Sequence, residues 1–184
     1  MASIEIHSVQ SVSGNQPRMR RMAEKAGQTF LAGTPVFIDA TGFVLAVVSP
    51  ATTAVPLAGF SKDFAANLAA SGVAQQQTFG SVPNEALAVN ISRPFFNDGL
   101  TGFESGDNDT IFLGQVGPAQ TALITDIGTT AGLTKDADNH WFVDKTAAGA
   151  NKVVTIVKLD PNDQSATPRG VYFVLLPAAF QNIL

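Results

Sequence analysis

The residue types best suited to chemistry gather around the single tryptophan, in the segment DADNHWFVDKT at residues 136–146. His140 is one of two histidines in the chain, and Asp138 and Asp144 lie on either side of it. In a functional interpretation, His140 acts as a base or a metal ligand, and one of these two carboxylates orients it. A single histidine with no second histidine nearby is weak evidence for a metal site.

The same segment also has the pattern of a β-hairpin. Its first half is rich in Asp and Asn, as turns are, and HWFVD at 140–144 has the composition of a strand. Side chains alternate along a strand, so Trp141 and Val143 would face the core while His140 and Asp144 lie at the rim. The sequence favours this hairpin over a catalytic or metal site.

A second group of oxygen ligands lies in DGLTGFESGDNDT, at residues 98–110. Carboxylates of this kind suit Ca²⁺, but their spacing does not fit the EF-hand loop. A turn explains the same Gly, Asn and Asp residues, so the sequence favours a turn here. The four acidic residues of the segment are Asp98, Glu104, Asp107 and Asp109.

The rest of the sequence carries no enzymatic motif. Its glycines form neither a GxGxxG pattern nor a phosphate-binding P-loop, and a GxSxG motif is absent. The chain has no cysteine, which excludes disulfides, thiolate zinc sites and cysteine nucleophiles. The sequence therefore predicts no catalytic residue, no metal and no cofactor, and a protein that is not an enzyme.

A basic cluster near the N-terminus predicts a binding surface instead. Residues 1–25 hold four cations and two acids, a balance of +2, and the net charge of −4 for the whole chain leaves −6 for the rest. An acidic body argues against nucleic acid, and four cations without aromatic residues between them are too few to stack bases. Two methionines add adaptable apolar contact, which favours docking to a protein. The basic cluster comprises Arg18, Met19, Arg20, Arg21, Met22 and Lys25.

From residue 28 onward the sequence has the pattern of a β protein. Short apolar or alternating runs are separated by turn residues about every ten positions. The runs Pro35–Ile38 and 43–48 flank a turn at 39–42 that ends in Gly, and together they predict a hairpin. Further strands are predicted at 54–61, 85–92, 110–117, 121–128, 140–144, 151–160 and 169–180, with a turn region at 93–110 and one short helix at 62–72.

Residues 1–25 form a predicted N-terminal arm, and residues 26–184 a predicted β domain. The arm is polar, with a predicted strand at 3–9, while residues 17–27 form either one or two helical turns or an extended segment. The predicted fold is mainly β: a compact β-barrel or β-sandwich, jelly-roll-like, with an extended N-terminal arm and at most one short helix.

The composition predicts a soluble protein that associates with other proteins. Charged residues make up 14% of the chain, against a usual share of about 25%. A surface so poor in charge repels copies of itself only weakly. The N-terminus lacks the pattern of a secretory signal, and no run approaches the roughly 18 apolar residues of a membrane span. We therefore expect synthesis in a cytoplasm.

Several stretches of the chain resemble capsid decoration proteins of tailed bacteriophages, also called cement or head-stabilising proteins. AGQTFLAGTPVFIDATGFVLAVV, followed by LAGFS, is similar to an early hairpin of that family. GLTKDADNHWFVDKTAAGANKVVTIVKLDPND and RGVYFVLLPAAFQ resemble the C-terminal hairpins of some members. The resemblance covers most of residues 26–181 and is loose at 62–110.

The resemblance implies a compact β fold, often trimeric, on the outer surface of an icosahedral phage head. There it would bridge subunits of the major capsid protein and stabilise the shell, with an N-terminal arm that crosses neighbouring capsomers. The expected partners are the major capsid protein and further copies of the chain, without nucleic acid or membrane. The basic cluster would contact the capsid, and Trp141, Tyr172 and Phe180 would lie in the core or at the oligomer interface.

Two other classes of function stay open. One is a different virion component, such as a head fibre or a connector; a major shell subunit is disfavoured because its long spine helix has no counterpart here. The other is a carbohydrate-binding β module, for which Trp141, Phe142 and Tyr172 could offer an aromatic platform.

Overall fold

The computed structural model describes residues 5–14, 17–25, 27–63, 65, 100–107 and 109–181. Within these ranges the chain forms eleven strands in two antiparallel sheets, which confirms the predicted mainly β fold. Of the two predicted alternatives, the described residues form the sandwich rather than the closed barrel. The strands are β1 (His7–Ser11), β2 (Met19–Ala23), β3 (Pro35–Ile38), β4 (Val44–Ala46), β5 (Gly59–Ser61), β6 (Leu100–Ser105), β7 (Thr110–Gln115), β8 (Thr130–Lys135), β9 (Trp141–Asp144), β10 (Val154–Leu159) and β11 (Gly170–Leu175).

Both sheets join strands that are far apart in the chain. The six-stranded sheet has the order β1-β7-β11-β10-β8-β9, and the five-stranded sheet the order β2-β6-β5-β3-β4. Beyond the end of β2, Lys25 donates its backbone N–H to the carbonyl of Val44 in β4 at 3.1 Å, and Glu24 and Val44 form an isolated bridge. The five-stranded sheet therefore curls until its first strand meets its last, without a continuous ladder between them.

Aromatic side chains fill the space between the two sheets. Phe60 of β5 lies against Phe112 of β7 and Phe173 of β11, with ring centroids 4.6 and 5.9 Å apart. All three rings are fully buried. Each belongs to a short run in which alternate side chains point inward, so these runs form strands with one face on the core.

A second, smaller core lies on the other face of the five-stranded sheet. Phe60 pairs with Glu104 and Ser61 with Phe103, so Phe60 and Phe103 point to opposite faces. The second core is lined by the curled inner face of the sheet, and its buried members are Val36, Val44, Ala58 and Phe103.

Two predicted hairpins are confirmed, although the incoming strand β8 of the second is not among the predicted strands. β3 pairs with β4, with Ile38 opposite Val44, across a turn in which Gly42 has a φ of 86° that favours glycine. β8 pairs with β9, with Leu133 opposite Val143, and its turn contains Asn139 at a φ of 65°. Asparagine tolerates this left-handed conformation better than most residues, which explains the Asp- and Asn-rich turn.

Two predicted elements are wrong. Residues 121–128 contain a 3₁₀ helix, Ile124–Asp126, instead of a strand, and the Asp126 carboxylate accepts the backbone N–H of Leu123 at 2.7 Å. The predicted turn region at 93–110 contains strand β6, which lies between β2 and β5 and is buried by pairing on both sides. The predicted strand at 85–92 and most of the predicted helix at 62–72 lie outside the described residues.

The predicted N-terminal arm contributes one strand to each sheet. β1 is the outer strand of the six-stranded sheet and pairs with β7. β2 is the outer strand of the five-stranded sheet, so the extended alternative for residues 17–27 is the one observed where the chain is described. The division of the chain at residue 25 stays a prediction.

Candidate functional site

The basic cluster follows β2 along the edge of the five-stranded sheet. Arg20 lies opposite Phe103 of β6, and Met22 packs against the small core. Because side chains alternate along a strand, Arg20 and Met22 point to the curled inner face while Met19 and Arg21 point to the other. The cluster is therefore divided between two faces of one strand.

The members of the cluster also differ in exposure. Met19 is 54% exposed, Arg18 and Arg21 are exposed, and Arg20 and Met22 are half-buried. Arg18, Met19, Arg21 and Lys25 are therefore the solvent-exposed members of the cluster.

Lys25, the last cation of the cluster, already has a partner within the chain. Its Nζ lies 3.0 Å from Oδ2 of Asp39. Hydrogen bonds from the Thr41 hydroxyl and the Phe43 backbone hold the pKa of Asp39 well below its ordinary value, so this carboxylate is ionised near neutral pH. Lys25 is consequently a weaker candidate for a partner contact than the sequence predicts.

A small pocket of about 120 Å³ opens where β2 begins and β6 ends. Ser105 lies beside Arg18 there and donates its backbone N–H to the Arg18 carbonyl at 2.8 Å. The sequence did not point to Ser105, because only the antiparallel register of two distant strands brings it to the basic cluster. The residues that line the pocket are Arg18, Arg20, Ser105, Gly106, Asp107, Phe180 and Gln181.

His140 lies at the turn of the β8–β9 hairpin, half-buried at the rim as strand alternation predicts. Its Nδ1 is 3.6 Å from Oδ2 of Asp136, so Asp136 is its neighbour rather than Asp138 or Asp144. Oδ1 of Asp136 accepts the backbone N–H groups of Asp138 and His140, each at 2.9 Å. Ligand atoms of Asp136, Asp138 and His140 lie within 4.8 Å of one another, and the hydrogen bonds among them are those of a turn.

Asp144 serves a separate purpose on the same hairpin. Its Oδ1 accepts hydrogen bonds from Nε2 of Gln120 at 3.0 Å and from the Thr146 hydroxyl at 2.7 Å. Burial raises the pKa of Asp144, but the hydrogen bonds from Thr146 and Gln120 outweigh it and hold the pKa below its ordinary value. An ionised, hydrogen-bonded carboxylate of this kind fixes the loop and is a poor proton acceptor.

The three aromatic residues considered for a carbohydrate platform occupy different surroundings. Trp141 is 6% exposed and belongs to the main core, whereas Phe142 is half-buried on the opposite face of β9. Tyr172 lies on β11, with Nζ of Lys158 5.6 Å from its ring centroid. Burial and the nearby Asp160 raise the pKa of Tyr172. Phe180 is partly buried against the main core.

The acidic residues considered for Ca²⁺ make separate contacts. Glu104 is buried, accepts the backbone N–H of Ser8, and pairs with Nζ of Lys62 at 3.0 Å. Asp107 accepts the backbone N–H groups of Asp109 and Thr110. Asp109 in turn binds Ser13 near β1. Asp98 lies outside the described residues.

Comparisons of the chain with models of protein families, with curated proteins and with solved structures found no match. Among the residues that the structure describes, no helix is long and apolar enough to cross a membrane.

Proposed function

We propose that this chain is a structural virion protein: a capsid decoration protein that binds the outside of an icosahedral phage head and bridges subunits of the major capsid protein. The resemblance of residues 26–48, 132–163 and 169–181 to that class supports the proposal. A β-sandwich that carries a binding surface on an edge strand is consistent with it.

The observation that carries the proposal is the chemistry of β2. Met19 and Arg21 on the edge strand β2, and Arg18 just before it, are exposed. The residues beyond 25 have a net charge of −6. Two cations beside an exposed thioether suit an acidic protein surface with some apolar area. The acidic body repels nucleic acid, so the particle's protein shell is the better partner.

Self-association into a trimer is part of the proposal. A head offers several equivalent sites close together, and a trimer engages three of them at once, so weak single contacts give tight binding. A surface with only 14% charged residues lowers the repulsion between copies.

A variant that neutralises two cations at the edge strand β2, called the edge variant, tests the proposal. In Arg18→Gln/Arg21→Gln we expect the apparent affinity for expanded heads, assembled from the major capsid protein of the same genome, to fall at least about tenfold. Each exposed ion pair contributes about 0.2–1 kcal/mol, and a trimer multiplies the loss. The measurement is co-sedimentation of labelled protein with heads across a salt series.

The matched control is Lys135→Gln/Lys158→Gln, which removes two exposed cations from the other sheet and should bind like the wild type. Equal binding by the edge variant and the wild type would remove β2 from the contact. Wild-type protein that fails to bind heads at low salt would overturn the function itself. Point variants are preferable to deletion of residues 1–25, because the deletion removes an outer strand from each sheet.

A further inference from the structure

The pocket at the start of β2 places two arginines and a serine on one face of the sheet. Met19 pairs with Glu104, so Arg18 is opposite Ser105 across the same two strands. Cross-strand neighbours point to the same face, and so do residues two apart on one strand. Arg18, Arg20 and Ser105 therefore share the inner face of the curled sheet, and all three line the pocket.

The Ser105 hydroxyl is the unusual group beside this pocket. Ser105 is 7% exposed, and its Oγ has no hydrogen-bond partner in the part of the chain that the structure describes. A buried hydroxyl without a partner lowers stability, and a ligand oxygen that accepts its proton restores the lost hydrogen bond. A hydroxyl donor beside two guanidinium groups is a donor set for an anion.

The walls of the pocket define which anion fits. Its volume of about 120 Å³ is well below the roughly 300 Å³ at which small-molecule sites begin, so a single functional group fits and a nucleotide does not. Gln181 closes one side, held by hydrogen bonds between its side chain and the backbone of Ile38 at 2.9 and 3.0 Å.

The charge of the pocket favours a singly charged group. Asp107 also lines it, so two arginines and one aspartate leave a balance of +1. One oxygen of Asp107 already accepts two backbone N–H groups. A balance of +1 matches the single negative charge of one carboxylate. A phosphate carries up to two negative charges, so Asp107 would repel it more strongly.

We propose that this pocket is a receptor for one carboxylate side chain, an Asp or Glu that a partner protein presents to β2. Arg18 binds its oxygens, as a guanidinium fork does, and Arg20, which also interacts elsewhere in the chain, adds a second cation. The buried Ser105 hydroxyl rotates about its Cα–Cβ bond to donate a further hydrogen bond. The proposal rests on the proposed function for the identity of the partner, and it adds the chemical group that the edge strand recognises.

A titration of the full-length protein tests the pocket without any capsid. The probe is the peptide acetyl-Ala-Glu-Ala-amide, and the readout is the backbone amide signals of Ser105 and Gly106 in ¹⁵N-correlated NMR spectra. We expect these signals to shift saturably with the Glu peptide and to stay in place with the isosteric Gln peptide. Ser105→Ala should weaken binding about tenfold, as loss of a hydrogen bond to a charged group does. Arg18→Gln/Arg20→Gln should abolish it.

The controls separate a built site from general attraction and from misfolding. Lys135→Gln/Lys158→Gln should bind the peptide like the wild type. Ser105→Ala should keep the wild-type thermal midpoint or exceed it, because it removes an unsatisfied group. The proposal is overturned if the Gln peptide binds equally, if shifts do not saturate, or if inorganic phosphate binds more tightly than the Glu peptide, which would indicate a phosphate site.

Failure of the pocket and failure of the proposed function have different signatures. If the Glu peptide binds as expected but every variant, together with the wild type, fails to sediment with heads, the pocket stands and the capsid role falls. If the edge variant loses binding to heads while the Glu peptide never shifts Ser105, the capsid role stands and the carboxylate receptor falls.

Discussion

Aspartate side chains organise the turns of this molecule by accepting backbone N–H groups. Asp39 binds Thr41 and Phe43, Asp136 binds Asp138 and His140, and Asp163 binds Arg169 and Gly170. Such bonds explain why DADNH gathers acids around a histidine, since Asp136 shapes the turn in which His140 lies. They also make the folded state sensitive to acid.

Asp163 is the clearest example, and it predicts the pH dependence of stability. Hydrogen bonds from the Arg169 backbone, the Ser165 hydroxyl and the Gly170 backbone lower its pKa from 3.8 to about 2. The folded-state pKa lies below the ordinary value, so the stabilisation is complete above about pH 4 and disappears as the pH falls through about 2.

We expect Asp163→Asn to lower the free energy of unfolding by about 1–2 kcal/mol at pH 7, because an amide replaces one acceptor oxygen with a donor. The variant should also lose less stability than the wild type between about pH 4 and 2. Urea denaturation across that range measures both effects. Asp138→Asn, on the exposed part of another turn, is the control. Parallel pH profiles for Asp163→Asn and the wild type would contradict the assignment.

At the scale of elements, β6 links the two sheets through one side chain. Glu104 leaves β6 in the five-stranded sheet and accepts the backbone N–H of Ser8 in β1 of the other sheet. Its second oxygen binds Nζ of Lys62. The carboxylate is buried, whereas the Lys62 side chain is 51% exposed. Loss of the carboxylate therefore affects Ser8 more than Lys62.

Glu104→Ala should lower the free energy of unfolding by about 1–3 kcal/mol, since it leaves the N–H of Ser8 without this acceptor. Amide hydrogen exchange at Ser8 should become faster in the same variant. Lys62→Met, which keeps Glu104 in place, should cost at most about 1 kcal/mol. A larger loss in Lys62→Met than in Glu104→Ala would show that the ion pair, and not the link to β1, stabilises the sandwich.

The sequence predicts the local pairs of the fold and misses the distant ones. The β3–β4 hairpin is predictable because its turn and its two strands lie within one short segment. Of the β8–β9 hairpin, the sequence predicts the turn and β9 but not β8. β6 is missed because its residues resemble a turn and its burial comes from β2 and β5. The opposite error at 121–128 concerns apolar residues that are not buried: Leu123, the N-cap of the 3₁₀ helix, is 52% exposed, and Ile124, its first residue, is 73% exposed.

The sequence likewise predicts some residues of the candidate site and misses another. Arg18, Met19 and Arg21 are recognisable in the sequence as a basic, flexible cluster. Ser105 is not, because its place beside Arg18 depends on the register between β2 and β6. A register between strands so far apart is set by the packing of whole faces, which no local pattern reports.

At the scale of the whole molecule, the question is whether the Trp141 ring packs in the core of one chain or at the interface between chains. The ring is 6% exposed within a single chain and lies in the same buried cluster as Leu133, Val143 and Phe173. This burial is already complete without a second copy, so the core interpretation is favoured.

We expect Trp141→Ala to lower the free energy of unfolding by about 3–5 kcal/mol, as large-to-small changes in a core do. Val48→Ala, at a residue that is 83% exposed, should change it by less than about 0.5 kcal/mol. Native mass spectrometry of the wild type should give three times the 19.2 kDa of one chain. A Trp141→Ala protein of undiminished stability that runs as a monomer would place the ring at the interface between chains instead.

The two strands at residues 7–11 and 19–23 have a consequence for how the molecule is made. His7 pairs with Leu113, and Arg20 pairs with Phe103. Both strands therefore leave the ribosome long before the strands with which they pair. Pairings between such distant residues are slow to form and leave edges exposed in the meantime. These two strands are therefore synthesised before their partners and pair only once those partners exist. We expect the arginines on β2 to protect its unpaired edge from association with other chains during that interval.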